Sequence, residues 1–169
     1  MPLPRELRST VAALALAGGA VLAVSVAGAV QQAGPDRSQD IAWMNGQQAY
    51  LAKLKAEDGW QAMPGGLKWR RVAGDGSGPR PTVEDQVTVH YRGTFTDGEV
   101  FDSSYERGEP ATFPLGRLVK AWQMAIPQMG VGDTIEIAAP ADLAYGPQGR
   151  GPIPGGATLL FTVELIGIE

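Results

Sequence analysis

The most regular alternation of apolar and polar positions runs through residues 87–104, VTVHYRGTFTDGEVFDSS. It sets Val87, Val89, Tyr91, Gly93 and Phe95 on one face of a strand, and Asp97-Gly98 signals a two-residue hairpin turn. The returning strand delivers Phe101 and Asp102 beside Tyr91. A carboxylate thereby enters an apolar wall, which is costly unless it is paired. Around this hairpin the pattern predicts further strands at 67–73, at Thr112-Phe113-Pro114-Leu115, at 134–139 and at 158–168. Pro114 cannot donate to a ladder and marks an edge. Ile135 and Ile137 share one face of their strand, as do Phe161, Val163 and Leu165 of theirs.

Helical spacing occurs twice. Trp43, Met44, Tyr50, Leu51 and Leu54 form one stripe, with Asp40 as its cap and Gly59 as its stop. One helix of this length is a poor independent dimerisation module, so the stripe is expected to pack on its own domain. Leu118, Val119, Trp122 and Ala125 or Ile126 form a second apolar face, which Pro127 disfavours continuing without prohibiting a terminal turn. Residues 74–81, GDGSGPRP, are a turn cluster; residues 141–156, ADLAYGPQGRGPIPGG, have no periodicity yet carry Tyr145 and Ile153. The whole is an antiparallel sheet covered by one short helix, with an interior of Tyr91, Phe101, Phe113, Trp122 and Phe161. The helix tryptophan then lies beneath any pocket between the two layers.

Ahead of this domain, Arg5 and Arg8 precede residues 11–30, VAALALAGGAVLAVSVAGAV, an apolar run without charge. It reads as an export signal with a small-x-small cleavage pattern at Ala27-Gly28-Ala29. The competing reading is an uncleaved anchor, since such a run at about 1.5 Å per residue spans a bilayer core of about 30 Å. The expected organisation is 1–29 signal peptide or anchor, 30–66 linker and short helical extension, and 67–169 the folded domain.

Composition narrows the chemistry. A hydrophobic content of 44% with 19% charged residues is ordinary for a globular chain. The net charge of −4 comes without a basic stripe, which argues against nucleic acid as a partner. The absence of cysteine excludes disulfides, thiol catalysis and zinc–thiolate sites. The glycines at 74–81 match no phosphate-binding pattern and precede a strand instead of opening a helix. His90, the single histidine, alternates with Tyr91 and so faces away from Asp102, which dissolves an apparent Ser103, His90 and Asp102 triad. An exposed strand histidine is expected.

In VTVHYRG, DGEVFDSS, PLGRLVKAW, Met129-Gly130-Val131-Gly132, DLAYG and GATLLFTVELIGIE the chain resembles the FK506-binding-protein family of peptidyl-prolyl isomerases, over residues 67–169. The order ATFPL before the tryptophan helix, with weaker similarity at 45–67, resembles bacterial exported members. That implies a periplasmic protein, or one anchored in the inner membrane and facing the periplasm. The resemblance implies an α+β fold, a bent antiparallel β half-barrel wrapped around one short α-helix. It implies catalytic roles for Tyr91, Phe101, Asp102, Trp122, Tyr145 and Phe161, and substrate binding by Arg107, Phe113, Leu118, Val119 and Ile153. Tyr145 would donate its hydroxyl to a substrate carbonyl, and Asp102 would be held by Tyr91 or Arg107. No metal and no cofactor are implied. The implied partners are proline-containing unfolded or nascent polypeptides and macrolide inhibitors of the FK506 type, with a membrane only if the N-terminal segment is retained. Ala111 stands where many eukaryotic members carry an aromatic residue, and Ala121 replaces a frequent glycine. The alternative function is a non-catalytic holdase that uses the same groove.

Overall fold

The computed structural model describes Arg37 and residues 39–169, so the apolar run at 11–30 and its reading as a signal or anchor lie outside the described residues. Among the described residues, no helix is long and apolar enough to cross a membrane. The first element among the described residues is helix α1, Ile41–Lys53, where the Asp40 side chain caps the Trp43 N–H at 2.9 Å. Short strand β1, Gln61–Ala62, and β2, Lys68–Ala73, follow. The hairpin strands are β3, Gln86–Thr94, and β4, Val100–Ser103; helix α2, Ser104–Arg107, leads to β5, Ala111–Pro114. Helix α3, Lys120–Ala125, is succeeded by a 3-10 turn at Ile126–Gln128 that contains Pro127, the terminal turn a proline permits at a helix end. Strands β6, Thr134–Ala139, and β7, Leu159–Ile168, complete the chain.

Among the described residues, seven strands join one sheet in the order β1-β2-β6-β7-β3-β4, with β5 also on β3, and every pairing is antiparallel. The edge position predicted for the Pro114 strand is observed, because β5 pairs with β3 alone. Register shifts at Arg71/Ala73, Thr88/Val89 and Gly93/Thr94 interrupt the ladders. Extra residues of this kind bend a strand and increase its twist, which is how one sheet wraps a helix. This is the half-barrel on one helix that the resemblance implies. On its inner face Val87, Val89 and Tyr91 of β3, Ile135 and Ile137 of β6, and Phe161, Val163 and Leu165 of β7 are buried against Ala121, Trp122 and Ala125 of α3. Complete burial of each large side chain contributes about 1.5–3 kcal/mol, so this interface dominates the stability of the domain.

The extension packs on its own domain, as expected. Gln47, at the centre of the α1 stripe, is 6% exposed and its Oε1 accepts the Thr158 N–H at 2.9 Å, while Trp43 packs against the core. Besides one-residue shifts at the ends of β2, β5 and β7, three features differ from the sequence pattern. Helix α1 ends at Lys53, well before Gly59, because the Lys68 ammonium takes the Leu51 carbonyl at 2.8 Å and also the Leu54 carbonyl. Gly59 instead closes a separate 3-10 turn at Ala56–Asp58. Leu118 and Val119 precede α3: Val119 is its N-cap residue in extended backbone, although both side chains are buried as the apolar face required.

The hairpin is the third difference. The Gly98 N–H bonds the Phe95 carbonyl at 3.0 Å and the Phe95 N–H bonds the Glu99 carbonyl at 2.9 Å. These bonds enclose Thr96, Asp97 and Gly98, with Gly98 at φ 92°, so the loop has three residues and not two. An ordinary turn followed by a left-handed glycine gives this hairpin.

Candidate active site

Strict alternation would send Phe101 and Asp102 to opposite faces of β4. The register shows why it does not: Gly93 pairs with Asp102 and Thr94 with Val100, so Phe101 is the extra residue of a bulge. Both side chains consequently turn toward the inner face. The Phe101 ring lies over Gly93, where an added Cβ would sit 2.5 Å from its Cζ.

Asp102 is 8% exposed and fully partnered. The Tyr91 hydroxyl donates to its Oδ2 at 2.6 Å, Arg107 Nη1 bonds its Oδ1, and Arg107 Nη2 reaches the Tyr91 hydroxyl at 2.8 Å. The expectation offered Tyr91 or Arg107 as the holder; both serve, in a closed triangle. An unpaired carboxylate in this position would cost several kcal/mol, and the guanidinium removes that penalty. Burial first, then the Asp102 carboxylate, raise the Tyr91 phenol far above its ordinary 10.0, so it is a permanent donor. Arg107 is delivered by α2, which Ser103 caps through the Glu106 N–H at 3.3 Å.

Three rings meet Trp122 edge-on. Its ring is 5.4 Å from Tyr91 at 81°, 5.5 Å from Phe161 at 87° and 6.4 Å from Phe113 at 79°. Phe101 extends the set through Phe161, 5.8 Å away at 90°. Edge-to-face pairs of this kind contribute about 0.5–1.5 kcal/mol each beyond their burial, and they fix ring orientations. Leu118, Val119 and Ile153 belong to the same buried cluster. The half-buried members are Phe101, Arg107, Phe113 and Tyr145, which form its approachable side.

Tyr145 differs from Tyr91 in one respect: its hydroxyl is buried with no hydrogen-bond partner among the described residues. Burial pushes its phenol up to about 12, Arg150 acting to lower it and Asp102 to raise it. It is therefore a neutral donor awaiting an acceptor. The loop that carries it is tied internally, by Gly146 N–H to the Ala141 carbonyl at 2.8 Å, Gly156 N–H to the Gly146 carbonyl at 3.0 Å, and reciprocal bonds between Arg150 and Ile153 at 2.9 Å. All eleven expected site residues thus lie in one cluster or on its rim.

A family profile described as FKBP-type peptidyl-prolyl cis-trans isomerase matches residues 78–166, just over half of the chain. The chain belongs to this family. Relatives agree with the assignment. The "FKBP-type peptidyl-prolyl cis-trans isomerase FkpA" of Aeromonas hydrophila is 45% identical over 120 residues, 71% of this chain and 44% of that protein. The "Outer membrane protein MIP" of Legionella longbeachae is 41% identical over 122 residues, 72% of this chain and 52% of that one. The crystal structure of FkpA from Escherichia coli superposes with a TM-score of 0.73 at 36% identity, covering 78% of this chain and 62% of that chain. The chain spans about half the length of the curated relatives it matches.

Within this FKBP-type domain, two supporting residues escaped the sequence reading. Ser104 is fully buried; its Oγ accepts the Tyr91 N–H at 2.7 Å and donates to the Tyr91 carbonyl at 3.2 Å, clamping the backbone that carries the phenol. The spacing of Ser103 and Glu106, a capping-box signature, was the available sign of α2. His90 faces away from Asp102 as expected but is not an exposed histidine. It is half-buried, stacks on Tyr105 at 4.6 Å, and its Nδ1 meets Ser104 Oγ at 2.9 Å.

Proposed function

We propose that the chain is a peptidyl-prolyl cis-trans isomerase acting on proline-containing segments of unfolded or nascent exported proteins, with residues 67–169 as the catalytic domain. The observation that carries this reading is the buried Tyr145 hydroxyl, unpartnered among the described residues, beside a box of aromatic edges. Rotation about an X-Pro bond breaks no σ bond, so it needs neither nucleophile nor acid. Its obstacle is amide resonance, a barrier of about 18–20 kcal/mol that makes the free reaction take tens to hundreds of seconds. A planar amide is charge-separated, and an apolar site disfavours it relative to the twisted form. Trp122, Phe161, Phe113 and Val119 supply that environment for the proline ring, with Leu118 and Ile153 completing the walls. Tyr145 holds a neighbouring carbonyl. Asp102, neutralised by Arg107 and Tyr91, keeps the edge polar without offering a free charge.

Trp122 has no exposed surface, so a peptide reaches it only by parting the half-buried Phe101, Phe113, Tyr145 and Arg107. Reaching a millisecond timescale requires about four to five decades, or about 5–7 kcal/mol at about 1.4 kcal/mol per decade. An apolar box with one buried donor, once those side chains part, is adequate to that. The same box would accept macrolide inhibitors of the FK506 type. Export rests on the charge-free run at 11–30, and the outer-membrane label of the Legionella relative favours an envelope location.

A protease-free isomerisation assay on an X-Pro peptide tests the reading. The wild-type chain accelerates exchange, and a folded Asp102→Ala, Tyr145→Phe double variant loses at least a hundredfold in kcat/KM, as does Trp122→Ala. Undiminished turnover by the folded double variant would sink the assignment of the pocket. A holdase would suppress client aggregation without accelerating exchange at all.

A further inference from the structure

Helix α1 does more than cover the domain. A groove of about 350 Å³ runs between its N-terminal end and the β3–β4 hairpin. Trp43 forms one wall, Phe95 and Phe101 the other, and Pro152 and Pro154 of the long loop close one end. Phe101 is shared: its ring is 5.1 Å from Phe95 on the groove side and 5.8 Å from Phe161 on the side of the aromatic box. Phe101 is therefore a wall common to the groove and the box, so the two lie side by side.

Its walls are fixed in place. The Gln47 to Thr158 bond at 2.9 Å and the Lys68 bonds to the end of α1 anchor the helix at its centre and C-terminus. The Arg37 guanidinium covers the Trp43 ring at 4.3 Å and pairs with Asp40 at 3.3 Å. That positive charge is already matched. Across the groove, Asp97 and Glu99 are exposed, and neither carboxylate has a salt bridge among the described residues. The Trp43 indole N–H is buried with no acceptor among the described residues, so this wall also offers a donor that a backbone carbonyl suits.

We propose that this groove is a second subsite for the polypeptide substrate, which selects extended segments carrying apolar and basic side chains next to the isomerised proline. The proposal rests on the isomerase reading and deepens it. An apolar floor with an acidic lip on one side complements such a segment and rejects an acidic one, by desolvation and like-charge repulsion. Trp43 and the hairpin carboxylates are specificity-determining residues, and Trp43 belongs to the extension that lies outside the matched family region.

The experiment compares kcat/KM of the full chain for a short blocked X-Pro peptide with that for the same peptide lengthened by about four residues at either end, carrying either two lysines or two glutamates. The lysine peptide is expected to exceed the short one, and to exceed the glutamate peptide by about three- to tenfold at low salt, the strength of two exposed ion pairs. The preference shrinks as salt rises. The Asp97→Lys, Glu99→Lys variant inverts the ratio, and Trp43→Ala removes the gain from lengthening. Because both carboxylates stand on an exposed loop, the charge variant stays informative even if Trp43→Ala fails to fold. Turnover of the short peptide with no dependence on length or charge would overturn the groove alone. No turnover of any peptide would overturn the isomerase reading and the groove with it. A concentration-dependent dimer that disappears in Trp43→Ala would assign this face to a second copy of the chain instead.

Discussion

At the scale of single residues, the site depends on one missing side chain. Gly93 lies beneath Phe101, and any Cβ there would overlap the ring at 2.5 Å from Cζ and 2.7 Å from Cε2. The ring is half-buried, so it can tilt outward, at a cost to stability of about 1–2 kcal/mol for a mildly overpacked site. The tilt moves a wall shared by the box and the groove. Gly93→Ala is accordingly expected to lower kcat/KM about tenfold while lowering Tm by only about 2–6 °C, checked by pairing the isomerisation assay with a thermal melt. A variant with reduced stability and full activity would show that the position of Phe101 is immaterial. The inward residues of β3 were legible because a half-buried strand repeats every second position, and Asp102 drew notice because an apolar wall penalises a carboxylate. The bulge that turns Phe101 and Asp102 to the same side was not legible. It depends on which residue of β3 faces which residue of β4, and alternation carries no register.

At the scale of elements, type was easier to read than extent. Strand β6 has the bounds that the alternation of Ile135 and Ile137 predicts, and α1 starts where Asp40 predicts. Helix ends are set by whatever satisfies the last carbonyls, and here that is Lys68, distant in sequence from Leu51 and Leu54. No local signal announces such a cap. The docking of α1 hangs on comparable long-range bonds, the most buried being that from the Thr158 N–H to Gln47. Gln47→Ala leaves a buried donor unpaired, which costs about 1–3 kcal/mol. The loss should be local. Hydrogen exchange of amides in α1 is expected to quicken by at least tenfold while those of β3 and β7 keep nearly wild-type protection. Equal acceleration throughout would mean that α1 and the sheet unfold as one unit, and unchanged exchange in α1 would mean that the bond contributes nothing.

At the scale of the whole molecule, one long antiparallel pairing joins β3 to β7 across most of the domain, with Val87 opposite Ile168 and Thr94 opposite Leu160. Pairings of this separation cannot be read from the periodicity of one chain, which is why the strands were legible and their order was not. Asp133 closes the far end of the same arrangement. Its carboxylate accepts the N–H groups of Gly76 at 3.0 Å and Gly130 at 2.8 Å and pairs with Arg71 at 3.0 Å, while its carbonyl accepts the Leu165 N–H at 3.0 Å. Three of these bonds reach the side chain and the fourth its backbone, so four stretches of chain meet on one residue that is 2% exposed. Burial alone would raise its pKa; the two backbone donors and the Arg71 guanidinium outweigh burial and hold the carboxyl below its ordinary 3.8. A depressed native value means stabilisation that is fully present above the unfolded value and lost as pH falls through the native one. Asp40, lowered mainly by the Trp43 N–H, and Asp75, lowered mainly by Ser77, shift the same way but stand in solvent, where water screens the effect. Asp133→Asn keeps the size of the side chain and removes its charge, turning one acceptor into a donor that faces an N–H. It is expected to destabilise the fold at pH 7 by about 3 kcal/mol. The gap between variant and wild type should then narrow as pH drops below about 4, because the unfolded wild-type chain takes up a proton there before the native carboxyl does. Denaturant melts of both proteins at pH 7, 5, 4 and 3 measure that gap, and a difference that stays constant down to pH 3 would show that charge on Asp133 does not hold the four stretches together.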